Sequence, residues 1–251
     1  MAGLRIAAAQ SHSAPGEIAA NVARHCLFID AAVAAGVQLL VFPELSLSGY
    51  DLPGLGAAAL APDDARLAPL IARAIRHHMT IVAGAPLRNP NGLPFIGAIA
   101  FHPDGSHSVY RKHFLYDGEE KFTAPGAALS EVIDVRGVPV ALAICFDTSN
   151  QQHPHAAVSA GATLYAAGAV ISPDGYLSKC TQLSGYAKLF NIGILLANHA
   201  FETGGYQSAG GSAIWLSGGQ LLVDAPGTGE CLVIGDQDNG SVVPVDTAFH
   251  R

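Results

Sequence analysis

The chain has 251 residues, half of them apolar, and its 13 Lys plus Arg against 20 Asp plus Glu give a formal net charge of −7. A charged fraction of 13% lies well below the roughly 25% usual for globular proteins, which excludes a disordered chain, a coiled coil or a solvated tail. An acidic balance without blocks of Lys and Arg argues against a nucleic-acid or anionic-membrane surface, and the length suits one α/β domain over residues 1–251. The opening MAGLRIAAAQSHS has one Arg and an apolar run too short for a signal-peptide core, so it reads as a first strand, Leu4 to Ala9. A helix follows from Glu17 to Ala35, ended by Gly36, and a second strand, Gln38 to Phe42, runs into Pro43 and Glu44. Leu67, Leu70, Ile71, Ala74 and Ile75 stand at helical spacing between Asp63 and Met79. Strands are expected at Thr80–Ala85, Phe95–Phe101 and Ser108–Arg111, the last two joined by a turn at Pro103–Gly105.

Glu131–Val135 and Val138–Ile144 read as a hairpin turned at Arg136-Gly137, and Thr163–Ala167 as a short strand. Asp174 is the expected cap of a helix with Leu177, Cys180, Leu183, Ala187 and Phe190 on one face. Strands at Ile192–Ala197, Ser212–Leu216, Gln220–Val223 and Cys231–Ile234 complete the chain. About a dozen strands and a few helices imply two sheets covered by helices. The longest apolar run, VPVALAICF, is about half of what a transmembrane helix needs. Cys26, Cys145, Cys180 and Cys231 form no C-x-x-C pair and read as reduced thiols of a cytoplasmic protein.

Three reactive groups stand at the carboxyl ends of apolar strands: Glu44 after LLVFP, Lys112 after SVYR and Cys145 after VPVALAI. In open α/β sheets, ligands bind in the crevice beyond those ends. Each residue alone also fits a structural reading. Glu44 could face water or cap a turn, Lys112 could be a solvated surface lysine, and Cys145 a small buried hydrophobe. Together they supply a nucleophile, a base and a cation for a developing oxyanion, which is the chemistry of acyl transfer from an amide or nitrile.

The blocks FPELSLSGY around Glu44, YRKHFL around Lys112, GEEKFTAPG from Gly118 to Gly126 and ALAICFD around Cys145 resemble, in order and spacing, those of the nitrilase, or carbon–nitrogen hydrolase, superfamily. The segments LLANHAFETGGYQSAGGSAIW and GQLLVDAPGTGECLVIGD resemble its C-terminal strands, so the similarity covers nearly the whole chain. The resemblance implies a four-layer α-β-β-α sandwich that pairs into homodimers or larger even assemblies, and chemistry without metal or cofactor. It implies catalytic Glu44, Lys112 and Cys145, and a second functional glutamate at Glu119, with Glu120 the other candidate. It further implies the Phe146 N–H as an oxyanion donor and Tyr50 in substrate binding.

The chain departs from the family after the cysteine, where TSNQQHPHAA stands in place of an Arg-Phe-Pro-Glu stretch and His155 takes the position of the Glu. With His155 and His199 read as pocket-wall groups, the expected substrate is a small, neutral or weakly charged amide or carbamoyl compound rather than a monoamide bearing a carboxylate. The other histidines, including His77-His78 and His153, show no metal-ligand spacing. Readings left open by the residues are a nitrilase, an N-acyltransferase, a non-catalytic assembly partner, and a redox-sensing thiol at Cys145.

Overall fold

The computed structural model describes residues 3–247. Its elements in chain order begin with β1 (Ile6–Gln10), α1 (Ile18–Ala34), β2 (Leu39–Val41), the single-turn α2 (Leu55–Ala58) and α3 (Ala68–His77). Next come β3 (Thr80–Leu87), β4 (Phe95–Phe101), β5 (His107–Arg111), β6 (Glu131–Val135), β7 (Val138–Ile144), α4 (Gln152–Ser159) and β8 (Leu164–Ala169). The last elements are α5 (Pro173–Leu189), β9 (Gly193–Asn198), β10 (Ala213–Trp215), β11 (Leu221–Asp224), β12 (Cys231–Gly235) and β13 (Gly240–Pro244).

The strands form a seven-stranded sheet, β13-β12-β1-β2-β3-β4-β5, and a six-stranded sheet, β11-β10-β9-β8-β7-β6. Parallel neighbours, β1-β2-β3 in one sheet and β7-β8-β9 in the other, form the middle of each. Strand alternation then sorts side chains into layers. Ile6, Ala8 and Val41 meet Leu142, Ile144 and Ala166 in the core between the sheets. Ala7, Ala9 and Leu40 turn outward to Phe28 and Ile29 of α1 and Leu70 of α3. Ala141, Ala143 and Ala167 turn outward to Ala157 of α4 and to Leu183 and Ala187 of α5. The result is the expected α-β-β-α sandwich. Burial on both faces explains why these strands read as continuous apolar runs, and truncating one of their large residues, such as Leu40, to alanine would cost about 2–5 kcal/mol.

Several local features differ from the sequence reading. The helix expected over 63–79 starts as a 3-10 turn capped by the Asp64 side chain, and α3 closes at His78 with φ +51°. Ser172, not Asp174, caps α5: its hydroxyl accepts from Gly175 N, while Asp174 sits in the first turn. On α5 the inward face is Leu183, Tyr186 and Ala187, whereas Leu177 is 77% exposed. The helix α4 was not anticipated because it contains Pro154, which falls in the first turn where a missing N–H costs nothing. The unanticipated β13 is a largely exposed edge strand.

Candidate active site

Beyond β2 the chain stays fully buried through Tyr50 while crossing the space between the sheets. It passes there because each sheet offers a glycine. A Cβ at Gly84 of β3 would meet the Pro43 oxygen at 2.3 Å and Leu45 N at 2.4 Å; one at Gly168 of β8 would meet the Phe42 oxygen at 2.7 Å. Contacts within such distances are not tolerated, so both positions demand glycine. Ser46 pins the turn, accepting from Gly84 N at 3.1 Å and donating to His25 Nε2 at 2.9 Å. This clamp fixes Glu44, whose residue is 1% exposed.

Lys112 follows β5 and is 0% exposed, which removes the surface-lysine reading. Its ammonium donates to Glu44 Oε1 and Glu119 Oε1, each at 2.7 Å. Burial by itself lowers a lysine, but the Glu44, Cys145 and Glu119 charges outweigh it and hold Lys112 well above its ordinary range, so it stays charged. Glu119 is also fully buried and fully partnered, taking Tyr50 Oη–H at 2.6 Å on Oε1 and Tyr116 N–H at 2.8 Å on Oε2. Glu120 instead lies at the surface, accepting from Gly118 N. Glu44 differs from Glu119 in one respect: among the described residues its buried Oε2 has no hydrogen bond of ordinary geometry, although the Cys145 thiol also acts on the carboxyl. Burial is the largest influence on the Glu44 carboxyl and raises it; Lys112 opposes and Glu119 adds, leaving it at about 7. A carboxyl so placed can both accept and return a proton near neutral pH.

Cys145 begins a 3-10 turn, Cys145–Ser149, with φ +43°, a backbone conformation uncommon for a non-glycine residue. Because the turn starts here, the Phe146 N–H lies in its first turn and has no preceding helical carbonyl to pair with. The thiol makes a long contact to the Val170 carbonyl, Sγ···O 3.7 Å. Burial, then the Glu44 charge, push the thiol up to about 12 despite Lys112, so the resting group keeps its proton and needs a base.

A second buried cluster fixes this turn, and nothing in the sequence pattern announced it. Asp147 Oδ1 accepts from His113 N at 3.2 Å and Phe114 N at 2.9 Å, while Oδ2 accepts from Ile144 N at 3.0 Å and the Tyr110 hydroxyl at 2.8 Å. Asp147 thereby ties the backbone just after Lys112 to the backbone just before Cys145. The Tyr110 oxygen in turn sits 2.8 Å from His153 Nε2, and the Tyr165 hydroxyl 2.8 Å from His153 Nδ1. The donors and acceptors balance when His153 is neutral with its proton on Nε2, in keeping with burial lowering its pKa.

Cys145 and Phe146 open onto a cavity of about 290 Å³. Tyr50, Tyr116 and Tyr206 give it aromatic walls, and Ser149, Ser172 and Lys179 a polar side. The two histidines expected on its wall are not among its lining residues. His155 is exposed on α4 beside Phe190, with ring centroids 6.2 Å apart. His199 is fully buried and donates from Nε2 to the Glu44 carbonyl at 2.6 Å, supporting the glutamate's backbone from behind. Among the described residues no group of three or more His, Cys, Asp or Glu is placed to hold a metal ion, and no helix is long and apolar enough to cross a membrane.

The carbon-nitrogen hydrolase family model matches residues 5–246. An (R)-stereoselective amidase from a Pseudomonas species is 29% identical over 163 residues, covering 63% of this chain and 57% of the amidase. The glutamine-dependent NAD(+) synthetase of Mycobacterium tuberculosis is 31% identical over 144 residues, covering 55% of this chain and 21% of the synthetase. The chain thus spans little more than half of that amidase and a fifth of the synthetase. Among solved structures, the NitN amidase from Nesterenkonia sp. AN1 superposes with a TM-score of 0.84 at 27% identity, covering 93% of this chain and 92% of that chain. One variant of that amidase carries the acetamide moiety of fluoroacetamide on its active-site cysteine, and another is in complex with butyramide. With the family matched over residues 5–246 and the fold shared with a solved amidase, the chain belongs to the carbon-nitrogen hydrolase family.

Proposed function

We propose that this protein hydrolyses the carbon–nitrogen bond of small amides or carbamoyl compounds through a thioester on Cys145. One observation carries the reading: a buried Lys112 ammonium shared at 2.7 Å by Glu44 and Glu119, together with a partly buried Cys145 that lines a cavity. Glu44 takes the thiol proton as sulfur bonds to the substrate carbonyl carbon. The Lys112 ammonium and the Phe146 N–H stabilise the oxyanion, a type of contact worth about 3 kcal/mol per donor. Collapse breaks the C–N bond, and the departing nitrogen takes the proton from Glu44. Water then gives a proton to Glu44 and attacks the thioester, and sulfur recovers that proton as the C–S bond breaks. Glu119, bonded to Lys112, Tyr50 and the Tyr116 backbone, positions the cation throughout.

The test is ammonia release from a panel of amides, carbamoyl compounds and nitriles, followed by acid quench with a slow substrate and peptide mass analysis. An acyl adduct is expected on the peptide containing Cys145 and should vanish in Cys145→Ala; an adduct on Cys26, Cys180 or Cys231 would refute the mechanism. The reading extends to a cytoplasmic homodimer or larger even assembly, supported by Leu177 and Leu189, 77% and 62% exposed on α5. Light scattering should give a mass at least twice that of the chain at micromolar concentration, and a stable monomer would count against it.

A further inference from the structure

Lys179 is a second lysine at the cavity, and its surroundings are the reverse of those of Lys112. It projects from α5 into the cavity lining, half-buried. Its ammonium donates to Ser149 Oγ at 2.7 Å and Gln182 Oε1 at 2.8 Å, both neutral acceptors. Among the described residues no carboxylate forms an ion pair with it. An ammonium has three N–H donors, so one remains, and the positive charge is partly withdrawn from water without an opposite charge. Burial lowers its pKa, and the one group that raises it is Cys145, which places the two within electrostatic reach. A partly buried charge left without a counter-charge is unfavourable until something anionic arrives.

The thiol and the ammonium are linked through a single turn of the chain. Ser149, which holds Lys179, ends the same 3-10 turn that Cys145 begins, about 8 Å away along the turn axis at about 2 Å per residue. The rings of Tyr116 and Phe146, in edge contact at 5.4 Å, line the same cavity as the thiol and the ammonium. Resting on the proposed amide hydrolysis, we infer that the substrate is a small amide carrying a carboxylate at the end away from the scissile bond, joined by a short aliphatic spacer, with Lys179 and the Ser149 hydroxyl binding that carboxylate. The cavity of about 290 Å³ suits a molecule of this size. This inference runs against the neutral-substrate expectation drawn from the missing arginine after the cysteine. On this inference the cation is supplied by α5.

Two measurements on the intact protein separate this inference from the reading it rests on. The first compares kcat/KM for succinamate and butyramide, which match in chain length and differ in the terminal carboxylate. The wild type should prefer succinamate. A charge-assisted hydrogen bond predicts that Lys179→Met lowers the succinamate-to-butyramide ratio about tenfold to a hundredfold, mainly through KM, while Lys179→Arg retains most of it. The second needs no turnover. Cys145 is alkylated with N-(2-carboxyethyl)maleimide or N-propylmaleimide, and the adduct rate at its peptide is followed by mass. The carboxylate reagent should be favoured in the wild type, with the rate ratio falling about tenfold in Lys179→Met. Hydrolysis of both amides with neither ratio dependent on Lys179 would overturn the inference and leave amide hydrolysis intact. Failure to hydrolyse any amide, with the labelling ratio still controlled by Lys179, would overturn the function and leave the anion site standing.

Discussion

Two buried polar clusters meet at the Cys145 turn, and they differ in how completely they are paired. Around Asp147, the carboxylate takes four donors, and both nitrogens of His153 contact tyrosine hydroxyls. Around Lys112, Glu119 is equally satisfied, but among the described residues Glu44 keeps one buried oxygen without a hydrogen bond of ordinary geometry and a carboxyl raised to about 7. A fully satisfied network has one low-energy arrangement and so acts as a brace. A carboxyl short of one bond can accept a proton without first breaking another contact. On the proposed mechanism, the first cluster holds the turn and the second transfers the proton.

The sharpest way to break the comparison is to disable the reactive cluster alone. Cys145→Ala should lower amide turnover on the order of 10⁴-fold or more, while thermal melting changes little, because one partly buried sulfur is removed. Glu44→Gln keeps the shape and loses the proton acceptor, so kcat should fall about 10²–10⁴-fold in steady-state ammonia release. If Glu44→Gln retained near wild-type kcat, the unpartnered oxygen would have no catalytic meaning.

Disabling the brace should produce the opposite pattern. Asp147→Ala strands the N–H groups of His113, Phe114 and Ile144 in a buried site, and urea unfolding should report a loss of about 3–4 kcal/mol. Asp147→Asn keeps an acceptor oxygen and should lose about half as much. In both, any thioester that forms should still map to Cys145, since the reacting groups are intact. A stability unchanged by Asp147→Ala would show that the brace is incidental.

The contrast also explains what could be seen in the sequence. Glu44 and Cys145 were legible because each interrupts the end of an apolar strand, and Lys112 because it follows a strand directly; strand ends in a layered α/β fold converge. The two helix-covered sheets followed from the order of strands and helices, and the four-layer sandwich from the family resemblance; in the structure Ala7 and Ala8 face opposite layers. The brace was not legible: Tyr110 and Asp147 are 37 residues apart, and each looks ordinary in its own strand or turn. Nor was the depth of Lys112, which depends on two carboxylates reaching one ammonium from separate loops. His155 and His199 misled for a related reason. Nearness in sequence to the pocket segments does not decide orientation, so one turned to solvent on α4 and the other behind Glu44. Lys179 carried no local signal because a lysine on a helix is usually solvated.

The finest test of the comparison is the pH dependence of stability. Glu44, raised from an ordinary 4.5 to about 7, keeps in the fold a proton that the unfolded chain releases. Its stabilising contribution is therefore full below about 4.5 and is lost as pH rises through about 7, a change of about 3 kcal/mol. Buried His25 and His199, lowered to about 3 and about 4 chiefly by burial, act in the other direction: they remain neutral where the unfolded chain takes up protons, so their contribution is lost as pH falls below about 6.5. The wild-type curve is the sum of these opposed trends, and only a difference isolates Glu44. Subtracting the unfolding free energy of Glu44→Gln from that of the wild type, by urea titration from pH 4.5 to 8, should leave a decline of about 3 kcal/mol centred between the two pKa values. Over the same range kcat/KM of the wild type should rise with pH through about 7, because only the unprotonated Glu44 can take the thiol proton. A flat difference curve would mean that Glu44 titrates at its ordinary value, and the unpartnered oxygen would then mark an ionised carboxylate held by Lys112, as fully settled as the brace beside it.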